Sequence, residues 1–269
     1  GTVEMGHSGA YYWKGKIPAS PIFSAIPFGM TATEFNAWLH YGGGLTLWQE
    51  LYLPFGIVPL AGGNSGAQFA GWFKKEINSI DDLKGLKMRI PGLGGEVLKR
   101  AGGVPVTLTG GEIFSSLQSG AIDASEWVGP YNDLAFGFHQ AAEFYYSSVW
   151  HETGTNLEFL INAKALADLP KDLQKIVEVA ARAVNQDMLD EYNARNNTAL
   201  KTLVEKHQVE LREFPPEVMQ ALKGYTNEVL AEQAEKDAGF AKVWQSYSEF
   251  LTSMREYNDL TLKAYYQNR

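Results

Sequence analysis

Residues 68–128, QFAGWFKKEINSIDDLKGLKMRIPGLGGEVLKRAGGVPVTLTGGEIFSSLQSGAIDASEWV, alternate apolar runs that suit strands with segments that suit short helices. Residues 68–73 read as strand, and 80–83 as a helical turn closed by Gly85. A strand over 86–90 ends at Pro91, a helix over 94–101 follows, and 104–108 is again strand. A helix over 111–119 and a strand over 122–128 complete the series. Such alternation predicts α/β layers around a largely parallel sheet.

The chain changes texture on either side. Before residue 68 it is rich in Gly, Pro and aromatic residues, which cut it into short elements joined by shaped loops. A helix is expected over 33–41 with Thr33 as its N-cap, another over 45–53 ended by Pro54, and a buried strand over 57–60. Strands over 144–149 and 157–161 follow the central series. Beyond Pro170 helices dominate. The span 172–206 places Leu173, Ile176, Val177, Ala180, Ala183, Val184 and Met188 on one helical face. After a strand over 209–214, helix resumes over 217–266 with a bulky stripe from Phe240 to Ala264 stepping by three and four. Two readings stay open for that stripe: it folds back on its own lobe, or it meets a second copy of the chain.

Composition narrows the function classes. A net charge of −8 argues against nucleic acid and anionic membranes as partners, although one buried cation can still create a site for an anion. No run approaches the roughly 18 apolar residues that a membrane-spanning helix needs. The absence of cysteine excludes disulfides, thiolate catalysis and cysteine metal sites. With 269 residues the chain is more comfortable as two lobes than as one. It opens without Met or an apolar leader, and residues 1–6 read as a strand entering an established fold, as in a mature or truncated chain.

Enzyme motifs are scarce. The five histidines follow no HExxH-like spacing, and no GxSxG elbow is present. Gly92-Leu93-Gly94-Gly95 matches no phosphate-loop pattern and reads as a helix start, and Asp81-Asp82 reads as a solvated turn. Four positions stand out instead. Arg89 ends a strand between Met88 and Ile90, where burial would demand an anionic partner. Its planar fork suits a carboxylate. Glu126 beside Trp127, and Glu152 beside Trp150-His151, lie at strand ends, where ligands of open α/β sheets collect. Gln68 heads the central series. Oxygen donors of this kind favour Na⁺, Ca²⁺ or Mg²⁺ over soft metals.

These residues sit in motifs that resemble the solute-binding proteins of TRAP transporters. Asp82-Leu83-Lys84-Gly85-Leu86-Lys87-Met88-Arg89-Ile90-Pro91 is similar to the segment whose Arg grips the ligand carboxylate in that family. Ile122-Asp123-Ala124-Ser125-Glu126-Trp127-Val128-Gly129-Pro130-Tyr131-Asn132-Asp133 and Trp150-His151-Glu152-Thr153-Gly154 resemble the subgroup that binds 2-oxo and 2-hydroxy monocarboxylates with a metal ion. The resemblance implies a two-lobe, periplasmic-binding-protein-like α/β fold with an interlobe cleft and a long C-terminal helix. It implies Arg89 as the carboxylate clamp, and Gln68, Glu126, the Trp127 carbonyl and Glu152 as ligands of Na⁺ or Ca²⁺. Trp127, Glu152, Asn132, Tyr12 and Trp13 would face the substrate. One lobe would comprise 1–65 with 155–205, the other 66–154 with 206–222, and 223–269 would form a helical extension able to pair two copies. The family's first strand and helix should precede Gly1. Membrane permease subunits would be the partners, and the location periplasmic. Two rivals remain: a metal-dependent lyase or hydrolase acting on a keto acid with Glu126 or Glu152 as base, and a binding protein of another importer class, for a sugar or amino acid.

Overall fold

Thr31, with extended backbone, accepts a hydrogen bond from the Glu34 amide while the Glu34 carboxylate takes the Thr31 amide, so a capping box opens the first helix. The cap is therefore Thr31 and not Thr33, which has already turned helical. In the computed structural model, which describes residues 1–269, β1 (Met5–Ser8) precedes two 3-10 turns, Ala10–Trp13 and Ser20–Phe23, then α1 (Ala32–Tyr41) and α2 (Gly44–Tyr52). Next come β2 (Ile57–Asn64), β3 (Gly71–Phe73), β4 (Lys87–Arg89), α3 (Gly92–Arg100) and β5 (Val104–Val106). The central series closes with α4 (Gly110–Ser119), β6 (Ala124–Ser125), α5 (Pro130–Phe136) and β7 (Phe144–Tyr146). Beyond it lie β8 (Asn156–Asn162), α6 (Ala163–Ala167), α7 (Lys171–Glu205), β9 (Glu210–Arg212), α8 (Pro216–Lys236), α9 (Ala238–Asn258) and α10 (Ala264–Asn268).

Two sheets result. The first is antiparallel throughout, in the order β1-β8-β2. The second runs β5-β4-β6-β3-β7-β9. In it β4 pairs parallel with β5 and β6, and β7 with β9, but β3 is antiparallel to both neighbours. The largely parallel sheet expected from sequence is thus mixed. Parallel neighbours need a crossover, usually a helix, and β3 enters instead directly from the first sheet.

The chain crosses between the sheets at 64–71 and returns at 147–155. The two crossings lie side by side: Ser65 donates its amide to the Thr155 carbonyl and Gln68 to that of Glu152, each at 3.0 Å. This is the two-lobe fold with a cleft between the sheets. A third link is α7, which packs on β2 at one end and sends Leu203 into the core under the second sheet.

The buried line of α7 is Ala181, Asn185, Leu189, Ala199 and Leu203, while Leu173, Ile176 and Val184 are exposed. The face expected from apolar spacing is therefore displaced. Asn185 explains it, since its carboxamide serves the Gly63 amide and Asn36 and so turns a polar residue inward. The helical run 217–266 is broken at Asp237, whose side chain caps α9 through the Phe240 amide. The aromatic stripe divides in turn. Phe240, Val243, Tyr247 and Leu251 are buried in the main core with Phe23, Trp38 and Trp48, and the Tyr247 hydroxyl accepts the Met30 amide at 2.7 Å. Tyr257, Leu260, Tyr265 and Tyr266 are exposed.

Candidate functional site: a guanidinium and two carboxylates where the lobes meet

β4 lies between β5 and β6, and its last residue delivers Arg89 to the sheet end with 1% of its surface exposed. A guanidinium so buried must spend its donors on acceptors. Nη1 donates to Glu126 Oε1 and to the Glu126 carbonyl (3.3 Å), Nη2 reaches the Tyr12 hydroxyl (3.2 Å), and Nε reaches the Leu108 carbonyl (3.4 Å). Trp127 lays its ring 5.1 Å from the guanidinium carbon. That ring fills the space a Cβ would take at Gly110, which a larger residue would deny it.

Glu126 follows β6 directly and is 1% exposed. Its second oxygen faces His151 Nε2 at 3.3 Å. Glu152 is also buried and accepts the Thr155 hydroxyl. Glu126, His151 and Glu152 each bring one donor atom within 4.8 Å of the others. Gln68 joins them from the first crossing: its amide nitrogen is spent on Ser65 Oγ (2.8 Å), while its buried carbonyl oxygen has no hydrogen-bond partner. A buried carbonyl without a donor, on a residue whose backbone amide meets the Glu152 carbonyl, adds to the two carboxylates the oxygen chemistry of a hard cation, so the residues fit an Na⁺ or Ca²⁺ ion.

The electrostatics follow from burial. Desolvation, with Glu126 close by, pushes Glu152 up to about 7. Burial works against the charge on Arg89, but Glu126 and neighbouring groups outweigh it and hold the guanidinium above its ordinary value. Burial and Glu152 likewise lift the Tyr11 hydroxyl well above the usual tyrosine range.

Not every sequence-derived candidate meets this cluster. Tyr12 does, through Arg89. Trp13 sits on the same 3-10 turn but donates its indole N–H to Glu158. Asn132 hydrogen-bonds the Tyr192 hydroxyl on α7 at 3.2 Å, and its own carbonyl oxygen is buried without a partner. Sequence spacing missed His151 and Tyr11. His151 follows no metal-ligand spacing because its partners come from other elements; its only signal was its place between Trp150 and Glu152. A cavity of about 760 Å³ around Lys74, His139 and His207 lies outside this cluster. One of about 250 Å³ adjoins the cluster, between Tyr11–Tyr12 and the start of α3, and the Lys14–Glu96 ion pair spans it.

Two sheets joined by paired crossings, with a buried polar cluster at the joint, are the build of a solute-binding protein that closes on its ligand. The chain belongs to the bacterial extracellular solute-binding proteins, family 7, which its residues 1–237 match. It is 44% identical over 265 residues to the monocarboxylate 2-oxoacid-binding periplasmic protein of a Nostoc species, covering 98% of this chain and 72% of that one. A TRAP periplasmic solute-binding protein from Colwellia psychrerythraea, solved with bound calcium and pyruvate, superposes with a TM-score of 0.97 at 46% identity. One from Pseudoalteromonas atlantica, with bound sodium and pyruvate, does so at 0.97 and 44%. Each superposition covers 100% of this chain and 82% of the other. The family is one of binding proteins and not of enzymes.

Proposed function

We propose that the chain is the extracytoplasmic solute-binding subunit of a TRAP-type transporter, working in the periplasm. It captures a small 2-oxo or 2-hydroxy monocarboxylate together with a metal ion and delivers it to membrane permease subunits. The observation that carries this reading is the buried Arg89 fork set against Glu126, with Glu152 beside Glu126 and, on the crossing bonded to Glu152, an unpartnered Gln68 carbonyl. The relatives' names, which specify 2-oxoacids, pyruvate, calcium and sodium, support the ligand class.

In this reading Arg89 exchanges part of its bonding to Glu126 for two parallel hydrogen bonds to the ligand carboxylate. Gln68, Glu126, the Trp127 carbonyl and Glu152 hold the ion. When bound, the ion would supply positive charge beside the anionic ligand. Trp127, Glu152, Tyr12, Trp13 and Asn132 form the walls, the last two from greater distance. If Glu126 alone is ionised at the metal, Na⁺ balances the site; if Glu152 also gives up its proton, Ca²⁺ does. The lobes divide as 1–65 with 155–205 and 66–154 with 206–222, a division supported by β9 pairing with β7 and β8 with β1 and β2. The exposed aromatic end of the segment 223–269 supports a homodimer through that helix.

Titration calorimetry of pyruvate, lactate and a neutral sugar, in chelator and then in CaCl₂ or NaCl, tests the proposal. Heat from the two acids that depends on metal is the expected result. Sugar binding, or turnover of bound pyruvate, would replace this reading with one of its rivals.

A further inference from the structure

Glu158 is a buried carboxylate that the proposed site does not use. It lies on β8, the middle strand of the first sheet, opposite Ser8 of β1 and Ala61 of β2, with none of its surface exposed. No Lys, Arg or His forms an ion pair with it. Its two oxygens are divided between two neutral donors, the Trp13 indole N–H at 2.6 Å and the Tyr52 hydroxyl at 3.0 Å. Burial pushes its carboxyl up to about 7, the direction expected of a carboxylate withdrawn from water with no cation to balance it. A side chain this costly in a sheet core, where an aliphatic one would pack freely, calls for a use.

Its partners suggest that use. Trp13 is 37% exposed, so packing covers only part of it, and its indole N–H is tied to Glu158. Trp13 ends the 3-10 turn Ala10–Trp13, and its neighbours on that turn face the other lobe. The Tyr12 hydroxyl touches Arg89, and Tyr11 abuts Gly92 at the start of α3, where an added Cβ would come within 3.2 Å of it. Tyr11 and Tyr12 brace each other edge to face at 4.6 Å. The turn is therefore pinned at one end to the first sheet and lies at the other against the clamp.

We propose that Glu158 is a positioning residue that anchors this turn over Arg89, and thereby sets the length of carboxylate the closed cleft accepts. The inference rests on the carboxylate reading of the site. The bond geometry distinguishes variants. A Gln at 158 can accept from Trp13 with its oxygen and donate its amide to the Tyr52 oxygen, so Glu158→Gln keeps the anchor. Glu158→Ala removes it. Trp13→Phe keeps one aromatic ring and removes the indole N–H together with the five-membered half of the indole.

The test is the affinity for pyruvate and for a branched six-carbon 2-oxo acid, measured in calcium on the full chain. Pocket walls discriminate such ligands by roughly tenfold or more per methylene, so Glu158→Ala and Trp13→Phe should each change the ratio of the two affinities by about tenfold. The change should favour the longer acid, the double variant should do no more than either single one, and Glu158→Gln should restore the native ratio. A lowered melting temperature with an unchanged ratio would reduce Glu158 to a structural residue and overturn the inference. Should Glu158→Ala fail to fold, Glu158→Leu, which fills the space but cannot accept the Trp13 N–H, decides by the same two outcomes. Failure of the unaltered protein to bind either acid would overturn the carboxylate reading itself, a result separate from any effect of Glu158.

Discussion

Glu126 and Glu158 are shut off from water to the same degree, 1% and 0% exposed, yet they are partnered in opposite ways. Glu126 faces a guanidinium and an imidazole; Glu158 faces an indole and a phenol. Glu126 has a cation beside it to balance a charge, whereas Glu158 has none, and burial raises its carboxyl even though its two neutral donors work the other way. In the proposed function the first serves a site for an ion and an anion. The second behaves as a fastener. Burial of an acidic group is thus ambiguous until its partners are known.

Removing the cation should break this contrast most severely. Arg89→Ala leaves the Glu126 charge buried without its main partner, and loss of one member of such a pair costs about 3–5 kcal/mol. Chemical denaturation should show that loss, and calorimetry should show no carboxylate binding. Pairing the variants as Arg89→Met with Glu126→Gln should recover most of the stability and none of the binding. Recovered binding would remove Arg89 from its role. Arg89→Lys keeps the charge and loses the planar fork, so affinity should fall by roughly 2–3 kcal/mol, read as a change in Kd.

The Glu158 side of the comparison responds to pH. Its folded-state value of about 7 lies above the 4.5 of an unperturbed glutamate. The folded state therefore holds the proton more tightly, and this stabilisation is complete below about pH 4.5 and lost as the pH climbs through about 7. Glu158→Gln should gain roughly 3 kcal/mol over the unaltered protein at pH 8 relative to the difference between them at pH 4. Parallel melting curves for the two proteins across that range would remove the desolvation argument.

The smallest effect belongs to the terminal helix. Tyr257 and Leu260 are exposed, at 61% and 82%, so Leu260→Ser should change the stability of a single copy by under about 0.5 kcal/mol. If the exposed end pairs two copies, the same substitution should lower the apparent mass in light scattering. Phe240→Ser, on the buried half of the stripe, should unfold the chain instead.

Local patterning was enough to locate the strand ends that carry Arg89 and Glu126, because strand and helix periods are properties of the backbone itself. The Arg89 segment and the Glu-Trp-Val-Gly-Pro block led from there to the family and to the proposed ligand class. The same patterning failed on α7, where a polar Asn185 turned inward to serve the Gly63 amide. It also left the terminal stripe with two readings, since a helical face records that it is apolar but not what covers it. Pairing was beyond its reach: Gln68 beside Glu152, His151 against Glu126, and Trp13 on Glu158 join residues from distant parts of the chain. Such contacts form only when the two crossings and both sheets are assembled, and it is their desolvation, absent in an extended chain, that separates a charged site from a neutral fastener.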